Sequence, residues 1–204
     1  MAESLTGNGR PLVAKVGGSL AETGRLPSAI TLIGNARVPV IIVPGGGPFA
    51  DGIRALQPTL KFDDATAHRL AMLAMHQMAE MMVAQSGRLQ IAQTPDEISS
   101  ILKDGQVPVW APLRMIAGDA SIPAGWSATS DALAARLAER LGGCLAVLKS
   151  VDVDKNADLG ALARLGIVDP VMPSIVARAG LSWSIFGPSD DALLRAVLAG
   201  EGDF

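Results

Sequence analysis

Val40–Arg54 reads V-I-I-V-P-G-G-G-P-F-A-D-G-I-R, and the fold turns on how it is interpreted. Val40 to Val43 are four consecutive apolar residues, which mark a short buried strand. Pro44 ends the run, Gly45, Gly46 and Gly47 follow, and Phe49–Leu56 reads as a helix. A strand that passes through glycines into a helix start gathers free backbone N–H groups at one point, with no Cβ atoms in the way. Such a point suits an anion, here a phosphate. A tight turn needing positive φ accounts for the same glycines, and this stretch alone does not separate the two readings.

A second glycine site lies upstream. Pro11–Val16 is another short strand and ends in Lys15-Val16-Gly17-Gly18-Ser19. A lysine at a strand end, ahead of two glycines and a hydroxyl, supplies a charge, bare backbone and a small donor, all suited to phosphate oxygens. Ends of parallel strands share one edge of a sheet, so both glycine loops can face one crevice.

The 204 residues are enough for one α/β unit with a sizeable core. Net charge is −3, which gives no reason to expect nucleic acid or an anionic membrane as partner. With 49% hydrophobic residues but only 3% aromatics, the core is aliphatic, as suits helices laid on a parallel sheet. No apolar run has membrane-spanning length, and residues 1–11 lack the apolar stretch of a signal peptide. The lone Cys144 has no intrachain partner, so a reducing cytoplasm is the expected setting.

Further strands are expected at Leu89–Ala92, Val107–Ala111, Cys144–Lys149 and Leu181–Phe186, with helices filling the intervals. That alternation predicts an α/β fold, with helices on both faces of a mostly parallel sheet. Nothing in residues 1–204 marks a linker between two domains. Asp64–Gln85 is the longest expected helix, with Asp63 or Asp64 as its cap. Met72, Met75, Met78 and Met82 share one of its faces, as core or as a subunit contact.

Several polar residues have two readings. His68, one turn into that helix, is either a surface histidine or one that bonds an acceptor or moves its proton. Arg54 either steers an anionic acceptor or is an ordinary surface arginine. Thr129 or Ser130 caps the helix Ser130–Leu141. Asp131 in its first turn either complements the helix dipole or holds two phosphate-binding lysines in place. The second lysine is Lys149, at the end of another strand, and together with Lys15 it would flank a phosphoryl group in transfer. Asp152 and Asp154 read first as turn residues and second as indirect Mg²⁺ holders. There is no G-x-x-x-x-G-K-[ST], no G-x-G-x-x-G, no zinc-spaced His/Cys cluster and no G-x-S-x-G. No protein metal site is expected.

Taken in order, Lys15-Val-Gly-Gly-Ser19, Pro44-Gly-Gly-Gly47, Thr129-Ser-Asp131 and Lys149-Ser-Val-Asp-Val-Asp154 resemble the amino acid kinase superfamily, across about residues 12–200. The resemblance implies a three-layer αβα sandwich around a largely parallel sheet. It places an acceptor half at about 12–125 and an ATP half at about 126–204. It implies that Lys15, Gly17, Gly18 and Ser19 hold ATP phosphates and that Gly45, Gly46 and Gly47 hold the transferred group or the acceptor, near Arg54 and His68. In the same way Asp131 organises Lys15 and Lys149, and Ser150, Val151, Asp152 and Asp154 border the nucleoside. ATP with Mg²⁺, a small phosphorylated acceptor and a homo-oligomer are the implied partners.

Pro44–Asp51, Ala67–Met75 and Trp126–Asp131 look like one branch of that superfamily, the kinases of aminomethylfuran-methyl phosphate. Those turn a phosphate monoester into a diphosphate during methanofuran synthesis. Kinases of isopentenyl phosphate or of an amino acid, and a non-catalytic nucleotide-binding or regulatory protein on the same fold, are the alternatives. The chain departs from the family where Lys155 and Asn156 follow Asp154, in place of a glycine and an aromatic residue.

Overall fold

In a computed structural model describing residues 9–202, the apolar runs become six strands, and all the pairs between them are parallel. The first half of the chain holds β1 (Leu12–Val16), α1 (Ser19–Glu22), α2 (Leu26–Gly34), β2 (Val40–Pro44), α3 (Gly47–Leu60), α4 (Asp64–Val83) and β3 (Leu89–Ala92). Next come α5 (Pro95–Lys103), β4 (Val107–Trp110), α6 (Leu113–Ile116), α7 (Ser130–Leu141) and β5 (Cys144–Leu148). The last part holds α8 (Leu159–Arg164), α9 (Met172–Ala179), β6 (Trp183–Phe186), a 3₁₀ turn at Pro188–Asp190 and α10 (Asp191–Ala199). The reading of residues 1–11 as lacking a leader falls outside the described residues except at 9–11. Among the described residues no helix is long and apolar enough to cross a membrane.

Strand order is β3-β4-β2-β1-β5-β6. The chain works outward from β1 on one side and returns to its other side only with β5. That reversal opens a crevice beyond the carboxyl ends of the strands flanking β1. Both faces of the central strands are apolar, as burial under two helical layers requires. Leu12, Ala14 and Val16 pack with Ile30 and Ile33 of α2 and with Leu194 and Leu198 of α10. Val13, Val43, Leu145 and Val147 pack against Leu133 and Leu137 of α7 and Ile175 of α9.

Asp63 caps α4 by accepting from the Thr66 N–H at 2.7 Å. The four methionines are buried: Met72 and Met75 join the cluster containing α7, while Met78 and Met82 join the opposite one. The methionine face is therefore core. α3 starts two residues earlier and ends four residues later than Phe49–Leu56, running past Pro58 to a left-handed Lys61. With none of its residues buried, it left no strong apolar period to read. One-turn helices such as α1 and α6 are too short to show a period at all.

The glycine loops interlock backbone to backbone. The Gly45 N–H donates to the Val16 carbonyl at 2.8 Å. A Cβ on Gly45 would lie 2.5 Å from the Gly18 nitrogen, and one on Gly18 would overlap the Gly47 Cα and nitrogen. Gly47 itself sits at φ +53. Glycine is thus needed here for close approach of the two loops, whatever they bind. Gly18→Ala should cost about 1–3 kcal/mol, because backbone cannot yield as a flexible side chain does. Gly52, inside α3 with open space around it, should gain stability on replacement by Ala, by about 0.5–1 kcal/mol. Urea unfolding of both variants checks the pair, and equal effects would refute the interlock.

Candidate active site

Lys15 is the fourth residue of β1, in register with Val43 of β2 and Val147 of β5. Lys149 follows β5 directly. Asp131 stands in the first turn of α7, where the unpaired N–H groups of a helix start favour a carboxylate. These three meet. The Lys15 Nζ lies 2.8 Å from Asp131 Oδ1, and the Lys149 Nζ lies 2.9 Å from Oδ2 and 3.1 Å from Oδ1. Lys15 and Asp131 are 5% and 4% exposed, so this pair is not a solvated surface contact.

Burial sets the electrostatics. It pushes the Asp131 carboxyl up, but attraction to Lys15 and Lys149 outweighs it, and the net shift is downward. The Lys149 ammonium is also lowered, to about 8. Burial is the main cause and repulsion by Lys15 the second, with Asp131 opposing both.

Asp169 was not singled out from sequence, yet it supports the whole cluster. Its Oδ2 accepts from Thr129 N at 2.8 Å, Thr129 Oγ1 at 2.9 Å and Ala132 N at 2.8 Å. Its Oδ1 accepts from Val171 N at 3.1 Å and Met172 N at 2.9 Å. One carboxylate therefore caps both α7 and α9, and its own N–H reaches Asp131 Oδ2 at 3.3 Å. Thr129 is the N-cap residue of α7, but the cap is supplied by Asp169, forty residues on, and not by its own hydroxyl. Burial and then repulsion by Asp131 push the Asp169 carboxyl above the ordinary range, against the backbone N–H bonds. In sequence Asp169-Pro170 reads only as a turn.

The other expected residues lie around this centre. Gly17, Gly18, Gly45, Gly46 and Gly47 form the interlocked loops beside Lys15; a Cβ on Gly17 would sit 3.6 Å from its Nζ. Ser19 opens α1 and is exposed. Ser150 and Val151 continue from Lys149, with Val151 50% exposed. Asp152 is taken by Ser189, accepting from its N–H and its hydroxyl at 2.9 Å each, and Asp154 accepts from Asn156 N at 2.9 Å. Asp154 thus makes a local turn bond, whereas Asp152 ties its loop to the 3₁₀ turn at Pro188–Asp190. His68 is half-buried, and desolvation lowers its pKa, opposed by the N–H bond it gives the Gly125 carbonyl. Arg54 is exposed and stacks on Trp126 at 4.5 Å. Arg25, also unforeseen, donates to the Lys149 carbonyl at 2.9 Å and to Asp191 at 2.6 Å, tying that strand end to α10.

Two spaces are lined by segments that continue from the glycine loops and from Lys149. One lies by Gly46 between α4 and residues 125–130. The other, about 350 Å³, is lined by Val153, Lys155, Trp183, Ile185 and Leu193. A larger groove of about 770 Å³ between α2 and α10 contains none of the expected site residues. Among the described residues no three His, Cys, Asp or Glu side chains cluster as a metal site.

The profile of the amino acid kinase family matches residues 10–159. A [5-(aminomethyl)furan-3-yl]methyl phosphate kinase of Methanocaldococcus jannaschii is 24% identical over 144 residues, which is 70% of this chain. The match spans 66% of that relative, just under two thirds of its length. The crystal structure of uridylate kinase from Archaeoglobus fulgidus shares the fold with a TM-score of 0.63 at 17% identity, covering 91% of this chain and 94% of that one.

Asp169→Asn should lose about 2–4 kcal/mol of stability, because an amide places N–H groups against N–H groups at one of its two oxygens. Urea unfolding measures this, and wild-type stability would show that the double cap is dispensable.

Proposed function

Since the chain belongs to the amino acid kinase family, we propose that it transfers the γ-phosphoryl group of ATP to a small phosphorylated acceptor. The observation that carries this is Asp131 gripping two ammonium groups, Lys15's buried and Lys149's largely so, beside interlocked glycine loops. Such a centre has the charge to stabilise phosphoryl oxygens and no nucleophile of its own. Transfer is therefore direct: an acceptor oxygen forms its bond to phosphorus as the bond to the ADP oxygen breaks. Lys15 and Lys149 face the charge that spreads over the transferring group, and Asp131 keeps both in position. Mg²⁺ would arrive on the ATP phosphates and neutralise part of their charge.

The nucleoside is assigned to the 126–204 half, in the pocket of about 350 Å³ that Trp183 and Ile185 line, next to Asp152 and Asp154. The acceptor is assigned to the 12–125 half, beside Gly46. The acceptor we favour is [5-(aminomethyl)furan-3-yl]methyl phosphate, taken to its diphosphate in the assembly of a methanofuran-type cofactor; the name of the M. jannaschii relative, a kinase of that phosphate, supports it.

ADP release should be measured with this acceptor, isopentenyl phosphate, uridine monophosphate and acetylglutamate, each with ATP and Mg²⁺. Turnover confined to the furan phosphate is the expected result. Silence with every acceptor, alongside a rise in melting temperature with ATP, would favour a regulatory or storage role. Lys15→Ala and Lys149→Ala should each cut kcat by roughly 10²–10³ with the fold retained.

The pH profile follows from Lys149. Its charged form does the work, so kcat/KM of the free enzyme should fall as pH rises through about 8. Lys149→Arg should move that limb several pH units higher, since a guanidinium stays charged. An unmoved limb would assign it to another group.

A further inference from the structure

We propose that the space beside Gly46 is a ring-recognition chamber for the acceptor, and that Trp126 is its specificity-determining residue. This rests on the reading that the acceptor's phosphate sits at the glycine loops. Gly46 belongs to that loop and also lines the chamber, so a group attached to the bound phosphate enters it directly. Met72, Met75 and Leu133 supply apolar sides, and Trp126 supplies an aromatic one. No charged side chain lines it. The space is small, about 50 Å³, well below the few hundred Å³ of an ordinary ligand pocket. Apolar walls of sulfur, methyl and indole set this close together suit a thin planar ring rather than a bulky group.

Trp126 is held ready for this role. Its Nε1–H donates to Gln57 Oε1 at 2.6 Å, and Gln57 in turn donates to Asp64 Oδ1 at 2.9 Å. Arg54 lies 4.5 Å from the ring centroid. The indole is thus fixed from the α3–α4 corner, although α3 buries none of its own residues. A ring fixed in advance loses little freedom when it stacks on a ligand. His68 adds the polar contact. His68 lines the space beside Gly125, and a neutral imidazole carries one nitrogen with a free lone pair. That nitrogen can accept from a donor on the ring's substituent, such as an aminomethyl group.

The test separates the ring from mere packing. Trp126→Phe keeps an aromatic face but loses the bond to Gln57, whereas Trp126→Leu keeps apolar bulk without a ring. Two probes of five carbons are compared, furan-2-ylmethyl phosphate and 3-methylbutyl phosphate, with methyl phosphate as the ringless base. Wild type and Trp126→Phe should prefer the furan probe in kcat/KM, and Trp126→Leu should lose roughly three- to tenfold of that preference, mainly through KM. An unchanged preference in Trp126→Leu would overturn the proposal. Should neither probe turn over, melting temperatures with each probe read the chamber without catalysis. A shift with the furan phosphate in wild type and Trp126→Phe, absent in Trp126→Leu, supports the chamber even if the kinase reading fails. Equal shifts in all three proteins overturn it.

Discussion

Two ammonium groups share one carboxylate in the interior of this protein. Everything near the crevice can be understood as the cost of that arrangement and the means of holding it. Charges removed from water are costly unless paired, and here Asp131 can satisfy both lysines only in part. The trio keeps one positive charge without a side-chain counter-charge among its members. A phosphate anion arriving at the glycine loops would supply it. A centre with this charge balance gains most when charge on the incoming group is greatest, which is the condition for favouring a transition state over a ground state.

Holding Asp131 requires more than the lysines. The start of α7 must point its first turn at the ends of β1 and β5, and Asp169 sets that direction by bonding Thr129 and Ala132. The same carboxylate bonds Val171 and Met172, so α9 and α7 are anchored at one atom pair. On the far side, Arg25 holds the Lys149 carbonyl. The lysine centre thus depends on segments from residue 15 to residue 172, and each contributes a backbone position as much as a side chain.

The parallel sheet was legible because apolar runs and helical intervals alternate regularly, and strand ends differed from expectation by a residue or two. Lys15, Asp131 and Lys149 were legible as candidates because each stands where a strand ends or a helix begins, next to glycine or hydroxyl residues. Their mutual contact was an inference from topology. Asp169 was not legible: an Asp before a proline has many uses, and three of its five donors, on Thr129 and Ala132, come from residues that only folding brings near. Trp126 likewise read as part of a loop, since Gln57 and Arg54 lie some seventy positions earlier.

What the sequence determined by itself was local: which runs bury, which glycines leave room, where a charge falls at an element's end. Those follow from side-chain chemistry and short-range periodicity, which adjacent residues carry among themselves. The tertiary structure alone decided that the glycine loops touch each other, that one carboxylate serves two lysines, and that an indole is pinned beside the space at Gly46. Each of these is a contact between residues far apart in the chain, and its geometry is set by the order in which β1 meets β2 on one side and β5 on the other.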